Sequence, residues 1–171
     1  MPATWTALTE GRSGIAPISF FDATDYPSSI AGEAQDFDPL ERLSNKESRK
    51  MDRFVQLGMI AGLEAYDDAG LNSEFDKERF GILIGAGIGG LETIEKTTST
   101  LLEKGPKRVS PFYIPSSIIN MVSGNLSIML GAQGPNLAIA TACTTGTHCI
   151  GMAARLIQYG EATVMVAGGT E

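Results

Sequence analysis

Three short apolar runs without polar alternation constrain this chain most: Phe80–Ile84, Asn136–Ala142 and Ala162–Ala167. A strand with one wetted face alternates apolar and polar residues. A strand apolar throughout is buried on both faces, and helices usually do the covering. Helical spacing lies between the runs. From Lys46 onward, Met51, Phe54, Val55, Gly58, Met59 and Gly62 keep one helical face, with Gly70 as a C-terminal stop. Leu91–Lys104 reads as a helix closed by Gly105-Pro106. Ser110–Pro115 reads as a turn-rich loop, with Pro115 suited to open a helix over Ser116–Leu130 that stops at Gly131. Thr145–Tyr159 reads as a helix ended by Gly160. Strands alternating with helices predict an α/β layered fold with a largely parallel sheet. Residues 1–45, broken by Pro17, Pro27 and Pro39, read as irregular.

With 171 residues, 43 % of them hydrophobic, the chain can bury a core, and a disordered or collagen-like chain is excluded. No run approaches the ~18 apolar residues of a membrane span. No secretory signal is visible, and two cysteines six residues apart make no disulfide framework, so a reducing cytoplasm is the expected setting. One histidine and no paired CxxC give no metal site. Only about three strands are readable, few for a covered sheet. The chain stops at Glu171, directly after an apolar strand and a double glycine. Part of a larger fold is therefore expected to be absent.

A net charge of −7 argues against nucleic acid as a partner. Yet five of the thirteen basic residues lie between Arg42 and Arg53, and three more between Lys104 and Arg108. Lys46, Arg49, Lys50 and Arg53 would share one face of a continuous helix. A local basic face on an acidic protein suits an acidic partner, although a solvated face salted with Glu47 and Asp52 would look the same.

The strongest chemical signal is Ile139-Ala-Thr-Ala-Cys143-Thr-Thr-Gly-Thr-His148. It places Cys143 where a buried strand meets a helix N-terminus, whose unpaired N–H groups favour an anion. Such a thiol ionises more readily, and the same N–H groups can hold the oxyanion formed when it attacks a thioester. The following helix is apolar nearly all round and should be central, giving Cys143 a water-poor pocket. Alternatively, Cys143 is a small packing residue, the role that suits mid-helix Cys149. Gly85-Ala-Gly87-Ile-Gly89-Gly90 matches the G-x-G-x-x-G of dinucleotide sites, but no second strand ending in an acid follows. The glycines more simply let backbone pass close to a ligand or strand. His148, five residues beyond Cys143, is too far along the helix for a Cys–His dyad and suits a structural role.

Taken together, Ala140-Thr-Ala-Cys143-Thr-Thr-Gly-Thr-His148, Gly134-Pro135, Val164–Glu171, Ser110–Met121, Gly85–Gly90 and Ser48–Asp52 resemble the β-ketoacyl-acyl-carrier-protein synthases, nearest the elongating synthase II branch. The resemblance implies a thiolase-like αβαβα sandwich working as a homodimer. Residues 1–171 would be an N-terminal synthase domain with an incomplete sheet, lacking the first strand and the C-terminal half. It implies Cys143 as the catalytic nucleophile, its own N–H as one oxyanion donor, and Ile88, Tyr113, Ile114 and Ala142 as acyl-pocket residues. Lys46, Arg49, Lys50, Lys107 and Arg108 would dock acyl- and malonyl-loaded carrier protein. No cofactor or metal is implied. The family's catalytic histidines fall in the absent half, so this chain alone is expected not to condense. A non-catalytic docking or chain-length partner of the same fold is the alternative, but such partners usually lack the cysteine that stands at 143.

Overall fold

The computed structural model describes residues 2–71 and 75–171. The chain forms two compact units, residues 1–38 and 39–171. The first holds a helix, α1 (Pro2–Thr9), and an antiparallel hairpin of β1 (Ile15–Pro17) and β2 (Ile30–Gly32). The expectation of an irregular N-terminal stretch is corrected here. Pro17 costs little in a strand this short. The long connection is tied down by Glu33, whose carboxylate accepts from Ser19 N–H, Ser19 Oγ and Phe20 N–H. Those bonds, the Ser19 hydroxyl first, hold the Glu33 carboxyl below its usual range.

The second unit runs α2 (Asn45–Ser48), α3 (Arg53–Asp68), β3 (Phe80–Gly85), α4 (Leu91–Lys104), α5 (Tyr113–Ser117), α6 (Met121–Leu130), β4 (Asn136–Leu137), α7 (Thr145–Gln158) and β5 (Val164–Gly169). Its sheet is parallel, in the order β4-β3-β5. All six residues of β3 are buried. Ile82 and Ile84 point to one side, into a core with Val55 and Met59 of α3 and Val122 and Leu126 of α6. Leu83 points to the other side, against Cys149 and Leu156 of α7. The sandwich is helix–sheet–helix, as the unalternated runs require. Gly58 and Gly62 let α3 close onto α6: a β-carbon on either would come within 2.6 Å of Val122 or Leu126.

Four sequence expectations are corrected. The basic residues at 46–53 do not share a helix. A Ser44–Glu47 capping box opens α2, which runs for a single turn, and Asp52 caps a separate α3. Helix 116–130 is split into α5 and α6 by an extended Ile118, because Ser117 is drawn to the Gly90 turn, whose N–H donates to Ser117 O at 2.9 Å. Strand 136–142 pairs only over its first two residues. The buried Ser123 hydroxyl enters the ladder there, accepting from Ile84 N–H at 2.9 Å and lying 2.8 Å from Leu137 O. Finally, α7 is covered on one face only: Cys149, Ala153 and Leu156 are buried, but Ile150, Met152 and Ile157 are exposed.

Asp52 joins three segments. Its Oδ1 accepts from Phe54 N–H at the start of α3, and its Oδ2 accepts from Thr93 N–H in the first turn of α4 at 2.8 Å. Its own N–H donates to Ser116 O. The residue is 7 % exposed, so its loss strands buried donors at two helix starts. Asp52→Ala should cost about 2–4 kcal/mol, read as a lower urea midpoint, and Asp52→Asn about half that.

Candidate active site

In parallel sheets, ligand sites form at the carboxyl ends of the strands. Here three loops converge at that edge. After β4, the chain crosses the end of β3 and enters a single 3₁₀ turn, Ala142–Thr144, which feeds directly into α7. The turn between β3 and α4 carries Ile88, and Thr170 and Glu171 follow β5. Cys143 sits at the junction and is exposed. It lines two adjoining cavities. One, of about 330 Å3, is formed with Gly87, Ile88, Ala142 and Glu171. The other, of about 310 Å3, has Thr145, Gly146, Gly169 and Thr170 in place of Ile88. The water-poor surroundings expected for Cys143 are not closed by these residues, because α7 is open on its outer face.

The Cys143 turn is held by contacts that admit little change. Ala142 has φ +50°, a left-handed conformation that costs a residue with a β-carbon about 1 kcal/mol. Thr141 N–H donates to Thr145 Oγ1 at 2.9 Å, closing the turn onto the start of α7. His148 Nδ1 lies 2.7 Å from Thr141 Oγ1. The histidine thus braces the turn from one helical turn further on. It lines a different cavity, with Ile139, Met152 and Arg155, which accords with a structural role. At the end of β3, a β-carbon on Gly85 would sit 2.0 Å from Ile139 O. Gly146 and Gly169 bring α7 and β5 together at a separation that leaves no room for a side chain on Gly169. The glycine motif at 85–90 therefore serves close backbone approach.

The predicted residues fall into groups. Cys143, Ala142 and Ile88 line one pocket. Tyr113 and Ile114 lie on α5, half-buried and exposed respectively, and do not line it. Lys46, Arg49, Lys107 and Arg108 are exposed on the same unit. Lys50 is half-buried, its Nζ standing 4.8 Å over the Phe112 ring. Two residues escaped the sequence reading. Asp52, placed before an apolar helical repeat, carried a readable capping signal; Glu171 carried none. Cys149 is fully buried, and burial pushes its thiol up. Among the described residues, no group of three or more His, Cys, Asp or Glu could hold a metal, and no helix is long and apolar enough to cross a membrane.

The model of the family described as Beta-ketoacyl synthase, N-terminal domain, matches residues 1–171. The chain belongs to the β-ketoacyl synthase family. It is 57 % identical over 170 residues to 3-oxoacyl-[acyl-carrier-protein] synthase 2 of Vibrio harveyi, covering 99 % of this chain and 41 % of that protein. The synthase 2 of Vibrio cholerae is 54 % identical with the same coverage. The chain thus spans about two-fifths of the length of these relatives. Its fold is that of the thiolase-like ketosynthases. The ishigamide ketosynthase/chain length factor superposes with a TM-score of 0.80 at 26 % identity, over 97 % of this chain and 47 % of that one. A type II polyketide ketosynthase in complex with its acyl-carrier protein superposes at 0.71 and 29 % identity, over 78 % and 39 %.

Two outcomes follow for this β-ketoacyl synthase segment. Iodoacetamide near neutral pH should label Cys143 and spare Cys149, read by peptide mass; equal labelling would contradict the burial described. Gly85→Ala should destabilise the protein by about 3 kcal/mol or more, because the obstructing atom is backbone. It should also displace the turn that carries Cys143, read as altered labelling of that thiol.

Proposed function

We propose that this chain is the nucleophile-bearing segment of a 3-oxoacyl-[acyl-carrier-protein] synthase of fatty acid biosynthesis, an acyltransferase of the synthase 2 type. One observation carries the reading. Cys143 stands exposed on a strained turn at the carboxyl edge of a parallel sheet, beside a cavity walled by Ile88. The match to curated synthases 2 supports it.

In the first stage the Cys143 thiolate attacks the carbonyl of an acyl thioester on carrier protein. The Cys143 S–C bond forms, the original thioester C–S bond breaks, and the carrier's sulfur leaves as a thiolate, which takes up a proton from water to replace the one Cys143 released on ionising. The N–H of Cys143 supplies one donor to the tetrahedral oxyanion. Ile88 and Ala142 bound the acyl chain, with Tyr113 and Ile114 contributing near a dimer interface. In the second stage malonyl-carrier protein loses CO2. The resulting carbanion attacks the Cys143 thioester, forming the C–C bond and releasing the thiolate. That stage draws on histidines outside these residues, so condensation is assigned to the full-length homodimer in the cytoplasm, and residues 1–171 alone do not condense.

Carrier protein docks on Lys46, Arg49, Lys50, Lys107 and Arg108. A complementary charge pair speeds encounter and is weakened by salt. Full-length protein incubated with acyl-carrier protein should gain one acyl mass on the peptide containing Cys143, and Cys143→Ala should abolish it. Absence of the adduct in the unaltered protein would sink the reading. The double variant Lys46→Glu, Arg49→Glu should raise KM for acyl-carrier protein about tenfold with little change in kcat. An unchanged KM would remove this face from docking.

A further inference from the structure

The turn that carries Ile88 is not held by its own residues. Glu171, beyond the end of β5, reaches across and accepts from three successive backbone N–H groups. Gly87 N–H and Ile88 N–H donate to its two carboxylate oxygens, Ile88 at 3.0 Å to Oε1, and Gly89 N–H donates to Oε1 at 3.2 Å. Consecutive N–H groups converging on one anion form a nest, and charge-assisted bonds of this kind are the strong ones. The far end of the turn is packed, Gly89 being buried against Ser117 and Ile119, but at Gly87 and Ile88 Glu171 supplies the backbone hydrogen bonds. Ile88 is 62 % exposed, and Gly89 has φ +94°. On its far side Gly90 N–H is anchored to Ser117 O. A β-carbon on Gly87 would lie 3.1 Å from Glu171 Oε2 and 3.4 Å from Ala142 Cα. The carboxylate, the turn and the backbone preceding Cys143 are therefore packed in sequence, and all three line the same cavity.

We propose that Glu171 is a positioning residue: by clamping the Gly87-Ile88-Gly89 turn it sets how far the Ile88 wall stands from Cys143, and hence which acyl lengths are accepted. The inference rests on reading Cys143 as the acyl acceptor. Glutamine at 171 offers one acceptor oxygen where the carboxylate offers two, and it carries no charge to hold three donors. Gly87 and Ile88 are then released ahead of the packed Gly89, and the end of the pocket yields. Aspartate keeps the charge but falls one methylene short. The clamp predicts a change in length preference, whereas a merely structural role would slow all lengths alike.

The test is a competition between hexanoyl and tetradecanoyl thioesters for Cys143 in the full-length protein, read by intact mass. Glu171→Gln should shift the ratio toward the longer chain by about fivefold, the scale on which a hydrophobic pocket discriminates a few methylenes, and Glu171→Asp should fall between. Ile88→Ala, which removes the wall outright, should shift it the same way. A wild-type ratio in whichever Glu171 variant keeps the wild-type circular dichroism spectrum overturns the proposal, as does an equal loss for both lengths. In the unaltered protein, the amides of Gly87, Ile88 and Gly89 should exchange slowly with solvent deuterium; free exchange also overturns it. If the unaltered protein takes up neither chain, the acyl-acceptor reading fails first and this inference falls with it.

Discussion

The larger unit depends on β3 being buried on both faces. Its backbone groups are satisfied by neighbours on either side: β5 pairs with it over six residues, and β4 over two. Its side chains divide by parity, so Ile82 and Ile84 hold the α3–α6 layer and Leu83 holds α7. Burying such residues is worth about 1.5–3 kcal/mol each. More important for the site, a strand fixed in every direction is a rigid reference for what touches its end. The loop after β4 crosses the end of β3 at Gly85, and Thr170 N–H bonds to Gly85 O at 3.0 Å. Both the Cys143 turn and the Glu171 segment thus take their position from one residue.

That arrangement accounts for which features were legible in the sequence. Layering, helix ends at Gly70, Gly105 and Gly160, and the parallel sheet follow from local patterns, because unbroken apolar runs and positive-φ glycines mean the same thing in any context. Helix breaks were not legible where the cause is remote. Nothing within Ser116–Leu130 forbids a helix through Ile118; the break is imposed by Gly90, some thirty residues earlier. Ser123 shortens β4 in the same way, as a helical hydroxyl substituting for a strand's partner. The N-terminal hairpin escaped because three-residue strands carry too few residues for a period to show.

At the site, residue type and spacing singled out Cys143 but not its setting. A cysteine before an apolar helix is visible in sequence; left-handed Ala142 and its bracing by Thr141, Thr145 and His148 are not. Homology supplied roles for Ile88, Tyr113 and Ile114, yet only Ile88 lies beside Cys143 within this chain. The outer face of α7, with Ile150, Met152 and Ile157 open, shows why. Cys143 is fixed from the sheet side by these residues, and the outer face of α7 stays open.

The strain at Ala142 and the span of Glu171 share a logic. A left-handed residue ahead of Cys143 persists only where its surroundings over-determine it. Here the surroundings are a glycine-lined seam: Gly87 faces Ala142 Cα, and Gly146 faces Gly169. Glycine permits the approach but contributes no side chain to hold it, so rigidity has to come from polar contacts bridging the seam. Thr170 Oγ1 bonds to Phe54 O, Thr170 N–H to Gly85 O, and Glu171 takes the three amides of the Ile88 turn. Two consecutive residues beyond β5 thereby tie α3, β3 and the Ile88 turn together. The small residues make the site close-packed, and these polar ties give it one geometry.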